Sequence, residues 1–208
     1  MGKIVEREDY FAVAIEILAA ADHGGLKMTP LCRRLNVTTG SFYNYFGSWA
    51  GFKTEFLAYW RDDRTIHLAN AARRKVDSDQ AMSALIDLAC DLPHRAESAI
   101  RAWSHSDPEV RQVQTIVDEK RYEVTVELLT RAIGNREIAG KIGYLCLFVL
   151  NGYQQTQPLP STEHLRRSLR MLEEILKPPQ TAPRRDSGVA DVAGVIANRS
   201  SGGRPSSG

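Results

Sequence analysis

The apolar residues of this chain recur with the spacing of α-helices along most of its length. Phe11, Ala14, Ile15 and Leu18 occupy positions i, i+3, i+4 and i+7, which lie on one face of a helix. The same spacing places four leucines on one stripe of a later segment: Leu165, Leu169, Leu172 and Leu176. We find no segment in which apolar and polar residues alternate as they do in a half-buried strand. The spacing therefore predicts an all-α fold.

Capping residues divide this helical pattern into segments. Thr29, followed by Pro30, predicts the start of a short helix, because proline is tolerated in a first helical turn. Asn36-Val37-Thr38 predicts a turn, with Thr38 capping a second short helix that extends to about Tyr45. Further helix starts are predicted at Ser48, Asp77-Ser78-Asp79, Pro93 and Asp107-Pro108. The last two helices are predicted at 136–156 and 161–177.

The composition limits the class of protein. Hydrophobic residues make up 43% of the chain and charged residues 25%, which is typical of a soluble protein with a buried core. The three cysteines are widely spaced and odd in number, which favours a reducing compartment over a disulfide framework. The N-terminal segment lacks an apolar signal core, and the longest apolar run is too short to cross a bilayer. We predict a cytoplasmic protein.

Residues 23–53 contain two short predicted helices separated by a three-residue turn, which is the spacing of a helix-turn-helix. Four apolar side chains can form its core: Leu31, Leu35, Val37 and Phe42. The stretch has no Asp or Glu, and its basic residues are Lys27, Arg33, Arg34 and Lys53. A surface without carboxylates can approach phosphates without repulsion. The hydroxyl and amide side chains of the second helix also suit base edges in the major groove of DNA.

Residues 36–46, NVTTGSFYNYF, resemble the signature of the tetracycline-repressor (TetR) family of transcription regulators. That signature runs turn, Ser/Thr cap, small or basic residue, Gly, Ser/Thr, apolar residue, Tyr, any residue, Tyr or His, and Phe. The resemblance is sharp over residues 10–57 and looser to about residue 177. It implies a three-helix DNA-binding module at residues 1–50 and a helical effector-binding and dimerisation domain at 51–177. Residues 178–208, rich in Gly, Ser and Pro, are predicted to be a disordered tail.

The resemblance also implies which residues contact DNA. The implied positions are Thr38, Thr39, Gly40, Ser41, Tyr43, Asn44 and Tyr45. Tyr43 is expected on a phosphate. Where the family commonly has a lysine early in the fourth helix this chain has Trp49, so Lys53, one turn later, is expected to contact phosphate instead. For Trp49, packing in the module's core is favoured over packing on the sugar-phosphate backbone.

A single helix-turn-helix buries little DNA surface, so such modules act in pairs whose recognition helices lie roughly 34–36 Å apart. We therefore expect a homodimer on a near-palindromic operator in double-stranded DNA. The last two predicted helices are the candidates for the interface, as a four-helix bundle in the manner of the family. The predicted interface residues are Leu145, Val149, Leu165, Leu169, Leu172 and Leu176. The alternative is that these apolar faces complete the core of one chain.

The middle helices are expected to hold a cavity for a small-molecule effector. Its predicted lining residues are Trp103, Arg121, Tyr122, Tyr144 and Phe148. For each aromatic side chain taken singly, ordinary core packing is favoured over a role in the cavity wall. Arg121 falls on the inward face of its helix, where a guanidinium has to be paired. Two interpretations stay open, namely an ion pair with Asp87 or Asp91, or a pair with a carboxylate of the ligand.

The sequence therefore predicts a DNA-binding transcriptional regulator, specifically a repressor that a small molecule releases from its operator. The alternative is a DNA-binding protein of the same fold without a ligand. We find no GxSxG or HExxH motif and no pair of catalytic carboxylates, and the five histidines lack metal-ligand spacing. We predict no catalytic residues, no metal site and no cofactor.

Overall fold

The computed structural model describes residues 5–73 and 78–176, and within these ranges the chain forms α-helices without any strand. The prediction of an all-α fold is confirmed. The helices are α1 (Arg7–Gly25), α2 (Met28–Leu35), α3 (Thr39–Phe46), α4 (Trp49–Arg73), α5 (Ser78–Cys90), α6 (His94–Ser104), α7 (Pro108–Ile133), α8 (Arg136–Gln155) and α9 (Thr162–Leu176). The tail predicted at 178–208 lies outside the described residues. No described helix is both long enough and apolar enough to cross a membrane.

Most of these boundaries follow from the predicted caps, with one exception. The Asp107 carboxylate accepts hydrogen bonds from the backbone N–H groups of Glu109 and Val110, at the start of α7. The prediction that Thr29 caps α2 is wrong, because α2 begins at Met28, after Lys27, and has no side-chain cap. Pro30 is still tolerated in this first turn, where a backbone N–H would have no partner within the helix.

Aromatic side chains fill the core of the N-terminal half. Tyr10 of α1, Phe42 and Phe46 of α3, and Phe52 of α4 are all buried, with neighbouring ring centroids 5–6 Å apart. Trp49 packs beside two of them, with its ring centroid 6.0 Å from that of Phe42 and 5.0 Å from that of Phe52. The structure therefore places Trp49 against the module's core, as favoured from the sequence.

This aromatic core is continuous with the helices that follow it. Ala99 and Ile100 of α6 and Val110 of α7 belong to the same buried cluster as the rings of α1, α3 and α4. α1 packs on α6, and α4 packs on α7. The position of α3 is thus fixed by helices that are themselves anchored in the body of the protein.

A second core lies between α5, α7, α8 and α9. It buries Leu165 and Leu169, which are 1% and 5% exposed. The prediction that these two leucines belong to a dimer interface is wrong, because their stripe on α9 completes the core of a single chain. Gly143 serves the same core. A Cβ on this residue would lie 3.0 Å from Cγ2 of Val126, a tight contact that a glycine avoids where α8 packs on α7.

Candidate nucleic-acid interface and ligand cavity

The turn between α2 and α3 is held by local hydrogen bonds. Asn36 takes a left-handed conformation with φ 55°, and the backbone N–H of Val37 donates to the carbonyl of Cys32 at 3.0 Å. The Thr38 hydroxyl accepts from the backbone N–H of Ser41 at 3.2 Å, which caps α3 as predicted. At the other end Gly47 stops α3 with φ 67°. These contacts fix the entry and exit of α3, the candidate recognition helix.

The outer face of α3 is exposed, polar and free of acids. Thr38, Thr39, Gly40 and Asn44 are exposed, and the Tyr43 side chain is 50% exposed. The first turn of α3 contains no acidic residue, so the positive end of its dipole is not neutralised there. Backbone N–H groups at such a helix end favour an anion. This face has the chemistry required to contact a DNA backbone and the base edges beside it.

Two of the predicted DNA-contacting side chains are turned toward α1 instead. The Tyr45 hydroxyl donates to the carbonyl of Val5 at 2.8 Å, and its ring lies 5.6 Å from that of Tyr10. The Ser41 hydroxyl oxygen lies 3.3 Å from the hydroxyl oxygen of Tyr10. Both side chains are partly buried. Their geometry suits fixing α3 against α1 better than reading a base.

Arg7 links α1, α3 and α4 of the same module, a role that was not predicted from the sequence. Its guanidinium pairs with the carboxylate of Glu55 on α4 and donates to the carbonyl of Tyr45 at 2.7 Å. These contacts join α1, α3 and α4 across 38 and 48 residues of sequence. No local pattern could have revealed them, since the partners belong to three different helices.

Lys53 does not fit the predicted phosphate contact. Its ammonium lies 2.7 Å from Asp107 Oδ2 and 2.9 Å from Glu109 Oε2, and its side chain is only 21% exposed. Hydrogen bonds to Asp107 and then Glu109 raise the Lys53 pKa, and the bond from Lys53 lowers the Asp107 pKa. The charge of Lys53 is therefore neutralised within the chain, where it links α4 to the start of α7.

Replacing Lys53 with methionine is expected to lower the free energy of unfolding by about 1 kcal/mol near pH 7, the range of partly exposed ion pairs. The pKa of Asp107 lies below its ordinary value of 3.8, chiefly because of Lys53, and that of Glu109 below 4.5, because of Thr54 and then Lys53. The contribution is therefore present above about pH 5 and is lost as the carboxylates are protonated in acid.

Urea unfolding of the unsubstituted protein and of Lys53→Met between pH 3 and 8 measures the difference between their free energies of unfolding. Because the Lys53 pKa is raised above 10.5, Lys53 stays charged throughout this range, and the stabilisation does not fade between pH 5 and 8. Lys120→Met, which breaks a more exposed pair with Glu123, serves as the matched control. An unchanged stability difference at pH 3 would show that the ion pair does not link α4 to α7 as described.

A cavity of about 60 Å³ lies within the second core. We call it the aliphatic cavity, because nine of its twelve lining residues are apolar, among them Met82, Leu85, Ile86, Leu147, Leu150 and Leu169. Its remaining lining residues are Arg121, Thr125 and Cys146. Burial raises the pKa of the Cys146 thiol to about 11, so this side chain is neutral at physiological pH.

Of the five residues predicted to line a pocket, the structure places only Arg121 there. Trp103 packs against the N-terminal core, with its ring parallel to that of His23. Tyr144 and Phe148 are 51% and 66% exposed. Tyr122 stacks on Tyr144 at a centroid distance of 4.3 Å. The prediction that these four aromatic side chains line the cavity is wrong, because aliphatic side chains fill that role.

Arg121 is paired within the protein, but not with the predicted acids. It is 3% exposed, and its Nη2 donates to Glu97 Oε1 at 2.6 Å, while Glu97 is 1% exposed. Asp87 instead pairs with Arg166 of α9, so the predicted pair with Asp87 is wrong. Glu97 comes from α6, which packs against α7, and this long-range neighbour could not be inferred from sequence spacing.

Several large apolar side chains of α8 and α9 are exposed in the single chain. Leu145 is 49% exposed, and Tyr144 and Phe148 lie beside it on α8. Met171 of α9 is 57% exposed. Val149 and Leu172 are partly buried, and the side chain of Leu176 lies outside the described residues. We call Tyr144, Leu145, Phe148 and Met171 the exposed apolar face.

The fold matches those of solved transcriptional regulators. The structure of a protein from Saccharomonospora viridis assigned as a transcriptional regulator, in complex with choline, superposes with a TM-score of 0.68, at 13% identity over 81% of this chain and 95% of that one. A regulator from Rhodococcus sp. Rha1 gives a TM-score of 0.67 at 16% identity, over 83% and 96% of the two chains. A protein from Rhodococcus sp. assigned to the TetR family gives 0.63 at 15%, over 82% and 97%.

At this level of identity the likeness concerns the fold. No family model and no curated protein sequence matches the chain. The chain therefore has the fold of TetR-type regulators over nearly the full length of those neighbours. Similarity of fold alone does not transfer their functions to this chain, so a functional inference also needs the geometry of its own residues.

Proposed function

We propose that this chain, which has the fold of TetR-type regulators, is a DNA-binding transcriptional regulator that acts as a homodimer and responds to a small molecule. The observation that carries the proposal is the outer face of α3. It presents Thr39, Tyr43 and Asn44 beside an unneutralised helix N-terminus and immediately after a tight turn from α2. Repression relieved by the small molecule is the outcome we propose.

The proposed DNA contacts are of two kinds: contacts with the sugar-phosphate backbone, which do not depend on the base sequence, and contacts with the bases. Thr38 and Thr39 lie at the N-terminus of α3, and Tyr43 projects a phenol one turn later. Hydroxyls and backbone N–H groups at a helix end suit phosphate oxygens. The exposed Asn44 amide suits a bidentate contact with adenine in the major groove. Lys27, Arg33 and Arg34 are exposed on and before α2, where Lys27 and Arg33 add positive charge, while Arg34 lies 3.8 Å from Glu16.

A second copy of the chain fits the exposed apolar face. Leu145, Phe148 and Met171 leave large apolar side chains in water on two neighbouring helices. Such a patch on a soluble protein marks an interaction surface. Pairing α8 and α9 with the same helices of a second chain would form a four-helix bundle and bring two recognition helices to one DNA molecule. This is the homodimer expected from the sequence, with the predicted Leu145 kept and Phe148 and Met171 taking the place of the buried Leu165 and Leu169.

The effector would act through α7. Arg121 lines the aliphatic cavity, and Asp107 and Glu109 at the start of the same helix hold Lys53 of α4. The two sites are about 20 Å apart along one helix. A ligand that shifts α7 would therefore change the orientation of α4, and with it the spacing between the two copies of α3. Ligand and DNA would then each favour one of the same two conformations of the protein, and this couples their binding free energies.

The neighbours support a ligand-responsive regulator over the alternative of a ligand-free DNA-binding protein. One of them was crystallised with choline, and another, the multidrug-binding protein EbrR, with imidazole, at TM-scores of 0.68 and 0.52. The aliphatic cavity is the specific observation in this chain that favours the same arrangement. A filled core would have favoured the ligand-free alternative.

Substitutions on α3 test the DNA assignment. Tyr43→Phe is expected to weaken binding to every duplex about fivefold, because one hydroxyl contact to the backbone is lost. Asn44→Ala is expected to change the preferred sequence, reducing discrimination at one base pair by about 1–3 kcal/mol. Fluorescence anisotropy on a panel of duplexes at fixed salt measures both effects.

Asn70→Ala is the matched control, since it removes an exposed amide at the far end of α4. It should leave affinity and sequence preference unchanged. Equal losses on all sequences for Asn44→Ala would contradict the assignment of Asn44 as a base-reading residue.

A further inference from the structure

The aliphatic cavity has room for a small molecule. Its volume of about 60 Å³ compares with roughly 10–15 Å³ for one water, and it lies between α5, α7, α8 and α9. The polar groups on its wall are few: the Arg121 guanidinium, the Thr125 hydroxyl and the Cys146 thiol. A ligand of this cavity must therefore be mostly apolar, with its polar group directed toward Arg121 or Thr125.

Arg121 retains an unused hydrogen-bond donor. Its Nη2 is bonded to Glu97, but its Nη1 is buried without a hydrogen bond and lies 3.5 Å from Asp118 Oδ1. The side chain is 97% buried, so solvent cannot satisfy this group. A buried donor without a partner costs about 1–3 kcal/mol, and a ligand that supplies an acceptor recovers part of that cost.

The charges around this donor are already balanced. Arg121 pairs with Glu97, and Asp118 is held by Arg101 through two hydrogen bonds of 2.8 and 2.9 Å. Two cations therefore face two anions. His94 lies nearby, and burial lowers its pKa, so it adds no positive charge at neutral pH. A carboxylate entering the cavity would be a third anion without a cation of its own.

The Cys146 thiol on the cavity wall supports the same conclusion. Burial raises the Cys146 pKa to about 11, because the surroundings oppose the charged thiolate. The same apolar surroundings oppose any other anion placed there. A neutral acceptor, such as a carbonyl or amide oxygen, avoids this cost and can still lie beside Arg121, which lines the cavity.

We propose that the aliphatic cavity binds a short-chain, uncharged molecule with a carbonyl-type oxygen that accepts a hydrogen bond from Arg121, and that it excludes the corresponding carboxylate. This inference rests on the proposed effector-binding function and specifies the ligand class. It also answers the question left open by the sequence: Arg121 pairs with a carboxylate of the protein and offers its remaining donor to a neutral ligand.

Butanamide and butanoate are suitable probes, because they have nearly the same shape and differ in charge. Butylammonium serves as the corresponding cationic probe. Calorimetric titration of the full chain at pH 7 is expected to show that butanamide binds at least tenfold more tightly than either butanoate or butylammonium. Ala89→Leu fills the cavity and should abolish butanamide binding, while Ala102→Leu, on the exposed side of α6, should not. Circular dichroism confirms that both variants are folded.

The double variant Arg121→Met with Glu97→Leu removes the ion pair without leaving a buried charge. It is expected to lose the preference for butanamide over butanoate. Stronger binding of butanoate, or no binding of butanamide to a protein that still binds DNA, would overturn the proposed ligand class while leaving the DNA-binding function intact. Absence of DNA binding in the same preparation would instead count against the proposed function.

Discussion

Replacing Arg121 with methionine is expected to lower the free energy of unfolding by about 3–5 kcal/mol, because it leaves the carboxylate of Glu97 buried without a cation. Glu97 is 1% exposed, and the 2.6 Å bond from Arg121 is the contact that neutralises it. Its Oε2 is buried without a hydrogen bond, so the substitution leaves the carboxylate without its hydrogen-bonded cation. Urea unfolding at 25 °C and one fixed protein concentration measures the loss.

Removing both charges should restore most of this stability. The double variant Arg121→Met with Glu97→Leu replaces the pair with apolar side chains of similar volume, a change that is often neutral in other proteins. Lys141→Met is the matched control, because its pair with Glu137 is 73% and 80% exposed and should contribute less than about 1 kcal/mol. A double variant no more stable than Arg121→Met would contradict the buried-pair description.

Replacing Phe148 with glutamate is expected to convert the proposed homodimer into a monomer. Phe148 is 66% exposed in the single chain and belongs to the exposed apolar face. A carboxylate there would be buried without a partner on dimerisation. Loss of pairing also removes the second DNA contact, so affinity for a two-half-site duplex should fall by about 10²–10⁴-fold.

Sedimentation and anisotropy on the same samples test both parts of this expectation. Ile116→Glu introduces the same charge at an exposed isoleucine on α7 and should change neither quantity. A Phe148→Glu protein that remains dimeric would show that the chains pair through another surface. A monomer that keeps full DNA affinity would show that dimerisation is not required for binding.

Local signals in the sequence were sufficient for most of the helices and their ends, although Lys27 rather than the predicted Thr29 precedes α2. The caps at Thr38 and Asp107 and the stop at Gly47 depend on residues within three or four positions of one another. Periodicity was sufficient for the all-α class, since it reports which face of a helix is apolar. The outer face of α3 could be predicted for the same reason, because its composition is contained in one short segment.

Periodicity could not report what covers an apolar face. Leu165 and Leu169 looked like a seam between chains, yet α5 and α8 cover them within one chain. The partners of Arg121 and Lys53 were missed because they lie 24 and 54 residues away on helices whose packing the sequence does not specify. The interface prediction therefore failed at its buried leucines, and the proposal keeps the predicted Leu145 and adds Phe148.

The central claim is that the outer face of α3 lies in the major groove of a duplex as one of a symmetric pair. Selection of bound duplexes from a random-sequence pool at low ionic strength, followed by footprinting, tests it most directly. The account predicts enrichment of a near-palindrome whose two protected half-sites lie about 10 base pairs apart, or a multiple of that, with a changed half-site for the Asn44→Ala protein. Recovery of no preferred duplex, or of the same sequence by both proteins, would contradict it.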